Sequence, residues 1–286
     1  MDNFNVAVLG AGTMGSGIAQ VCAMSGYSVV LYDTSEAALA GAESTITASI
    51  SKLEASGKIV SKQAAFARTA ITFSTDKKDL MADIVIEAII ERAEIKQAVL
   101  TEIQLANGPE TIVASNTSSL SITQIASALP YPDRFAGLHF FNPAVLMQLV
   151  EISSGAATSS ETINKLHAFT ESLNKKPVHC KESPGFIVNR VARPFYTESL
   201  KLLEEQVADI ETLDKLAEGI GFKMGPFRLM DLIGSDINFA VTSSLYSAFF
   251  QEPRFRPSRI QQQKVMAGHL GRKAGKGFYD YSTGKP

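Results

Sequence analysis

The sequence predicts an α/β fold, a doubly wound and mostly parallel sheet followed by an all-helical C-terminal domain. Three observations carry this. Short apolar runs alternate with longer amphipathic ones through the first half. A turn-rich stretch, Lys181-Glu182-Ser183-Pro184-Gly185, then closes that pattern. Beyond it strand signals nearly vanish and helical periodicity takes over. Alternating strands and helices imply crossover connections, hence parallel strands covered on both faces. The expected domains are residues 1–182 and 183–286.

In order, Val6–Leu9 and Val29–Tyr32 read as buried strands because they are short and apolar and are followed by Gly10 and Asp33. Further strands are expected at Ile71–Ser74, Ile84–Glu87, Ile112–Ser115, Arg134–Phe140, Gln148–Ile152 and Pro177–Cys180, with helices between most of them. The stretch from Ser35 to Ala70 is too long for one crossover helix. It is expected to form a helical pair projecting from the domain at about 35–70, broken at Gly57. After the boundary, Val188, Val191, Phe195 and Leu202 recur at helical spacing and predict a helix with one apolar face, more than a single small helical layer needs, so a homodimer through this domain is expected. Asp209 is placed to cap a second helix ending near Gly219–Gly221, and another is expected over Ile237–Phe250.

Composition narrows the function. With 286 residues there is room for two domains, and 45% hydrophobic with 20% charged residues suits a globular protein with a real core. A net charge of −2 argues against a basic nucleic-acid surface and supplies no membrane patch. Cys22 and Cys180 lie far apart with no CxxC pair, so they read as reduced core residues and not as a disulfide or metal site. No apolar run approaches the ~18 residues of a membrane span. Met1-Asp2-Asn3-Phe4 runs directly into the first strand, so a cytoplasmic enzyme without a leader peptide is expected.

The clearest motif is Gly10-Ala11-Gly12-Thr13-Met14-Gly15, between the first strand and a helix. Gly10 permits the tight turn, Gly12 lets a pyrophosphate approach the backbone, and Gly15 lets helix and strand pack closely. The helix N-terminus offers N–H groups and positive partial charge to phosphates. Asp33 closes the second strand, where a carboxylate can accept bonds from ribose hydroxyls and repel a 2′-phosphate. Together these predict a Rossmann-type domain that binds NAD in preference to NADP.

Of the four histidines, His167 falls on a polar helix, His179 within a strand and His269 in a Gly- and Lys-rich tail. His139 stands at a strand end, followed by Phe140-Phe141-Asn142-Pro143. In open α/β sheets the ligand crevice lies beyond the strand C-termini. Glu151, twelve residues on, falls on the next strand candidate, which can return its carboxylate beside the imidazole. A carboxylate there would fix the tautomer and stabilise an imidazolium. The alternatives are a structural strand-end histidine and a surface glutamate.

Several segments together carry a family resemblance: Ser115-Asn116-Thr117-Ser118-Ser119-Leu120, Arg134 to Pro143, Leu149-Val150-Glu151, Pro184-Gly185-Phe186-Ile187-Val188-Asn189-Arg190, and Gly271 to Tyr279. In order and spacing the chain resembles the 3-hydroxyacyl-CoA dehydrogenase family. The resemblance implies His139 as catalytic base and Glu151 as the acid that orients it. It implies Ser118 and Asn189 near the substrate hydroxyl and thioester carbonyl. Around the nicotinamide half of the cofactor it implies Glu91, Lys96, Asn142 and Lys273, with Ser118 close by. It also implies an acyl-CoA substrate with an (S) hydroxyl and a homodimer through the C-terminal domain. The active site is expected in the cleft between the domains.

Gly221 to Phe227 and Asp231 to Asp236 resemble the family's loops near the acyl end. Arg228 is an unusual residue there. It is either a surface charge or a partner for a distal carboxylate, which leaves 3-hydroxyadipyl-CoA open beside 3-hydroxybutyryl-CoA. Lys52 and Lys58 on the helical pair are candidates for coenzyme A phosphates. The competing functions are a dehydrogenase of free hydroxy acids or sugar acids, and a non-catalytic NAD-binding protein. No metal is expected.

Overall fold

The computed structural model describes residues 4–282. Met1–Asn3, on which the expectation of a leaderless start rests, lie outside the described residues, as do residues 283–286 at the end of the second expected domain. The chain divides into two compact units, one ending at Ser183 and one beginning at Pro184.

The first unit runs β1 (Asn5–Leu9), α1 (Thr13–Met24), β2 (Ser28–Tyr32), α2 (Glu36–Ala55), α3 (Ser61–Thr69), β3 (Ile71–Ser74), β4 (Ile84–Glu87), α4 (Ala93–Asn107), β5 (Ile112–Ser115), α5 (Ile122–Ala126), β6 (Phe135–Phe140), β7 (Leu149–Ser154), α6 (Ser160–Ser172) and β8 (Lys176–Lys181). All eight expected strands are present, their ends shifted by at most two residues. They form one sheet in the order β3-β2-β1-β4-β5-β6-β7-β8. The first six strands are parallel, β7 runs antiparallel to β6, and β8 follows β7 in parallel. The central strands are nearly all apolar and buried, as a sheet covered on both faces requires. The strand order reverses between β1 and β4. That switch point opens a crevice beyond their C-terminal ends.

Ser35 caps α2 by accepting from the Ala38 N–H at 3.2 Å, and Gly57, at φ +68°, turns the chain between α2 and α3. The inner faces of the pair, including Leu39, Ile46, Ile50 and Ala64, are buried in the same core as Ile18 and Cys22 of α1. The outer faces carry mostly exposed polar residues. Burial pushes the Cys22 thiol up to about 12, so it stays protonated and inert.

The second unit is helical: α7 (Val188–Glu204), α8 (Ile210–Gly219), α9 (Pro226–Ile233), α10 (Ser235–Ala248) and α11 (Arg259–Met266). Asp209 caps α8 through the Thr212 N–H at 2.8 Å, as its position predicts. Helix α7 forms as expected, with Phe195 and Leu202 of its apolar face packed partly against the helical core. Its buried residues are Arg193, Tyr196 and Leu200, whereas Val191 is 71% exposed. Arg193 turns the helix inward because its guanidinium finds partners there. It donates to the Asn238 carbonyl at 3.2 Å and to Thr242 Oγ1 at 3.0 Å, and it lies 4.8 Å from the Tyr196 ring centroid. Among the described residues no helix is long and apolar enough to cross a membrane.

Candidate active site

The glycine turn has the geometry its motif requires. Gly10 adopts φ +101°, and a Cβ there would meet the Ala88 carbonyl oxygen at 2.6 Å. At Gly15 a Cβ would lie 1.7 Å from the Gly10 carbonyl oxygen, so only glycine lets α1 start this close to β1. Gly12 is different, since a Cβ there would meet nothing within 4 Å. The space over it is open, and as N-cap of α1 it brings no side chain to cover the helix N-terminus. Such an uncovered N-terminus suits a phosphate. Beside it a cavity of roughly 420 Å³ is lined by Gly10, Gly12, Asp33, Ile89, Ile90 and Val99, among others. Its largely apolar walls and the Asp33 carboxylate fit an adenosine, with Lys77, paired to Glu102 at 2.5 Å, also on the wall. Asp33 is itself fixed, accepting from the Ala11 N–H at 2.8 Å and the Ser35 N–H at 2.9 Å.

His139 and Glu151 face each other across the antiparallel β6–β7 pair, in direct register. The twelve-residue spacing therefore acts as two arms of one hairpin-like return. Nδ1 of His139 lies 2.8 Å from Oε2 of Glu151, and both side chains are buried, Glu151 completely. With Nδ1–H donating to the carboxylate, Nε2 is the nitrogen that can accept a proton. The Phe141 ring packs at 4.5 Å between centroids against the imidazole. Asn116 ties the end of β5 to the end of β6, its Oδ1 accepting from the Phe140 N–H at 2.8 Å. Ser118 follows β5, which pairs with β6 through Ser115 and Gly137, so the two chain ends emerge side by side.

A second polar cluster occupies the ends of β4 and β5. Lys96 is 1% exposed and bridges two carboxylates, Glu87 at 2.5 Å and Glu91 at 3.3 Å. Glu87 is fully buried and also accepts from the Ile89 N–H at 2.7 Å and Ser115 Oγ at 2.6 Å. Glu91 in turn accepts from Thr117 Oγ1 at 2.5 Å and from the Ser118 N–H at 3.1 Å. Burial works against the Glu91 charge, but the Lys96 ammonium and these hydrogen bonds outweigh it and hold the carboxyl below the usual range. Glu91, Lys96 and the Ser118 loop thus form one hydrogen-bonded network. Glu87 is the member sequence reasoning missed. An acid closing an otherwise apolar strand of a covered parallel sheet was the available signal.

Asn142 follows β6 at a cis peptide bond to Pro143. It lines a groove of roughly 700 Å³ bounded by Gly12, by Gly17 of α1, by Lys52 of α2 and by Lys58 beyond it.

Asn189 and Lys273 belong to the second unit. Asn189 lies in the first turn of α7, where its carbonyl accepts from Arg193 Nε at 3.2 Å. Lys273 pairs with Asp236 at 2.7 Å. Its loop is pinned by buried Asp231, which accepts from the Phe278 and Tyr279 N–H groups at 2.9 Å each. Arg228 is internally engaged. Its Nε lies 3.8 Å from buried Asp214, and its guanidinium sits 4.9 Å from the Tyr279 ring centroid.

Comparison with known proteins decides the family. The sequence profile of the 3-hydroxyacyl-CoA dehydrogenase NAD binding domain matches residues 5–183, and that of the family's C-terminal domain matches residues 185–281. The chain belongs to the 3-hydroxyacyl-CoA dehydrogenase family. It is 49% identical over 278 residues to a 3-hydroxyadipyl-CoA dehydrogenase of Escherichia coli, covering 96% of this chain and 58% of that protein. A solved structure named 3-hydroxybutyryl-CoA dehydrogenase, also from Escherichia coli, superposes with a TM-score of 0.96 at 48% identity, over 99% of this chain and 60% of that one. The chain therefore spans little more than half the length of these two relatives. The (S)-3-hydroxybutyryl-CoA dehydrogenase of Ralstonia eutropha matches along nearly its whole length: TM-score 0.92, 42% identity, and 97% and 98% of the two chains. Residues 5–183 of this oxidoreductase family member are thus an NAD-binding domain.

Proposed function

We propose that this dehydrogenase oxidises the 3-hydroxyl of a short (S)-3-hydroxyacyl-CoA to the 3-oxo thioester, reversibly, with His139 as base. The observation that carries the reading is the buried His139–Glu151 bond at the strand ends. The names of the two structural relatives support a four-carbon acyl chain. NAD supplies the hydride acceptor when bound. His139 Nε2 takes the hydroxyl proton, and the Glu151 carboxylate holds the tautomer and stabilises the resulting imidazolium. Ser118 orients the substrate oxygen, and Glu91, Lys96 and Asn142 hold the nicotinamide half of the cofactor in place. Asp33 favours NAD by repelling a 2′-phosphate. Asn189 and Lys273 carry the roles that the family resemblance assigns them. In the reverse direction the protonated His139 returns its proton to the forming alkoxide.

The groove beside α1 and α2 is assigned to the coenzyme A moiety, with Lys52 and Lys58 at its phosphates. The second unit exposes Val191, Leu216, Ile220 and Phe222, an apolar surface suited to a homodimer through this domain. A monomeric mass at micromolar concentration would count against that assembly.

A second substrate, 3-hydroxyadipyl-CoA, is favoured by the name of the Escherichia coli relative. Arg228 is not its recognition group in this reading, because Asp214 and Tyr279 already engage it. Comparing kcat/KM for 3-hydroxybutyryl-CoA, 3-hydroxyadipyl-CoA and free 3-hydroxybutyrate tests the assignment. The thioesters should exceed the free acid by orders of magnitude. Efficient turnover of the free acid, unaffected by added coenzyme A, would move the function to hydroxy acids.

A further inference from the structure

The second buried lysine of the first unit is not used by this chemistry. Lys175 is 8% exposed and follows Asn174, whose left-handed backbone at φ +56° turns the chain inward after α6. Its ammonium donates to three carbonyl oxygens of one loop: Ala144 at 2.7 Å, Met147 at 2.8 Å and Val145 at 3.4 Å. That loop connects His139's strand to Glu151's strand. It closes on itself through the Leu146 and Met147 N–H groups, which donate to the Pro143 carbonyl at 2.9 and 3.0 Å. On its other side it packs against α1, where a Cβ at Gly17 would lie 3.1 Å from that of Ala144.

The loop is therefore clamped between α1 and a buried cation, and Asn142 to Leu146 form one wall of the 700 Å³ groove. Aiming three carbonyls at Lys175 has a consequence for that wall. In a trans peptide C=O and N–H point in opposite directions. With the Ala144 carbonyl directed at the ammonium, the Val145 N–H points away from it, and Val145 lines the groove. We propose that Lys175 is a positioning residue that holds this loop so that the Val145 N–H donates to an amide or thioester carbonyl of the substrate's pantetheine arm. The inference rests on the groove taking the coenzyme A moiety, as proposed above.

The test is Lys175→Met, which keeps the stem and removes the cation, with Lys176→Met, an exposed neighbour, as control. For acetoacetyl-CoA the expected result in Lys175→Met is a KM raised about tenfold or more, the loss of roughly one well-placed hydrogen bond. NADH affinity and kcat at saturation should change by less than about threefold, separating a wall of the substrate groove from a general scaffold. An unchanged KM would overturn the proposal, as would a parallel loss of kcat and NADH affinity. If the variant does not fold, hydrogen exchange on the wild-type protein with coenzyme A decides. Slowed exchange at Val145 supports the proposal. Slowing confined to α2 and α3 overturns it while leaving the coenzyme A site standing. Slowing nowhere removes both.

Discussion

Replacing Glu151 by glutamine exchanges a carboxylate oxygen for an amide group and leaves the shape of the side chain almost unchanged. The site around it is dry, since Glu151 is fully buried and His139 nearly so. In the proposed oxidation the imidazole gains a proton, and a full charge pair would form across the 2.8 Å contact. At an effective dielectric near 20, unit charges about 4 Å apart attract by about 4 kcal/mol. A neutral amide recovers part of this, because a charge-assisted hydrogen bond is only about twice as strong as a neutral one. The net loss is about 2–3 kcal/mol, or roughly 30- to 150-fold in kcat. A second effect adds to it. The carboxamide can present N–H to Nδ1 and so favour the tautomer that carries its proton on Nε2, which cannot accept another. The expected fall in kcat for Glu151→Gln is therefore about 10²–10³, with NADH binding within about threefold of wild type. Steady-state NADH oxidation with acetoacetyl-CoA gives the first quantity and a direct NADH titration the second. A kcat within about threefold of wild type would refute the reasoning. So would a large loss accompanied by equal loss of NADH binding, which would mean that Glu151 only holds the sheet together.

Lys96→Met leaves two carboxylates without their shared cation and should cost about 3–5 kcal/mol of stability, measured by urea unfolding. If Asp33 repels a 2′-phosphate as proposed, Asp33→Ser should raise the NADPH-to-NADH ratio of kcat/KM about tenfold or more. An unchanged ratio would detach Asp33 from cofactor choice. Glu91 is held below its ordinary value of 4.5, so its contribution is present above that pH and is lost as pH falls through the folded value. Thermal unfolding midpoints followed downward from about pH 5 should therefore decline less steeply in Glu91→Gln than in wild type.

Much of the first unit was legible because its strands are uniformly apolar and each is followed by a turn residue, as with Val6–Leu9 before Gly10. The pairing of His139 with Glu151 needed more than periodicity. It depends on an antiparallel return at β7 in a sheet whose preceding strands are parallel, and the family resemblance supplied what alternation could not. Arg193 of α7 was not legible as a buried residue, because a periodicity count treats arginine as outward, whereas it lies over Tyr196 and donates to the Asn238 carbonyl and Thr242 Oγ1. Helices α9 and α11 escaped notice because each spans only eight residues, too short for a stable period. Glu87 and Lys175 were also missed. Glu87 could have been read from its place at the end of an apolar strand, whereas Lys175 looks like an ordinary surface charge until the distant 144–147 loop is brought alongside.

The central claim is a histidine base working on a coenzyme A thioester, and NADH-dependent reduction of acetoacetyl-CoA by wild type and His139→Gln tests it most directly. The account predicts turnover by the wild type and a loss of about 10³ or more in the variant, with NADH affinity nearly unchanged. Near-normal turnover in His139→Gln, or equal turnover of free acetoacetate by the wild type, would contradict it.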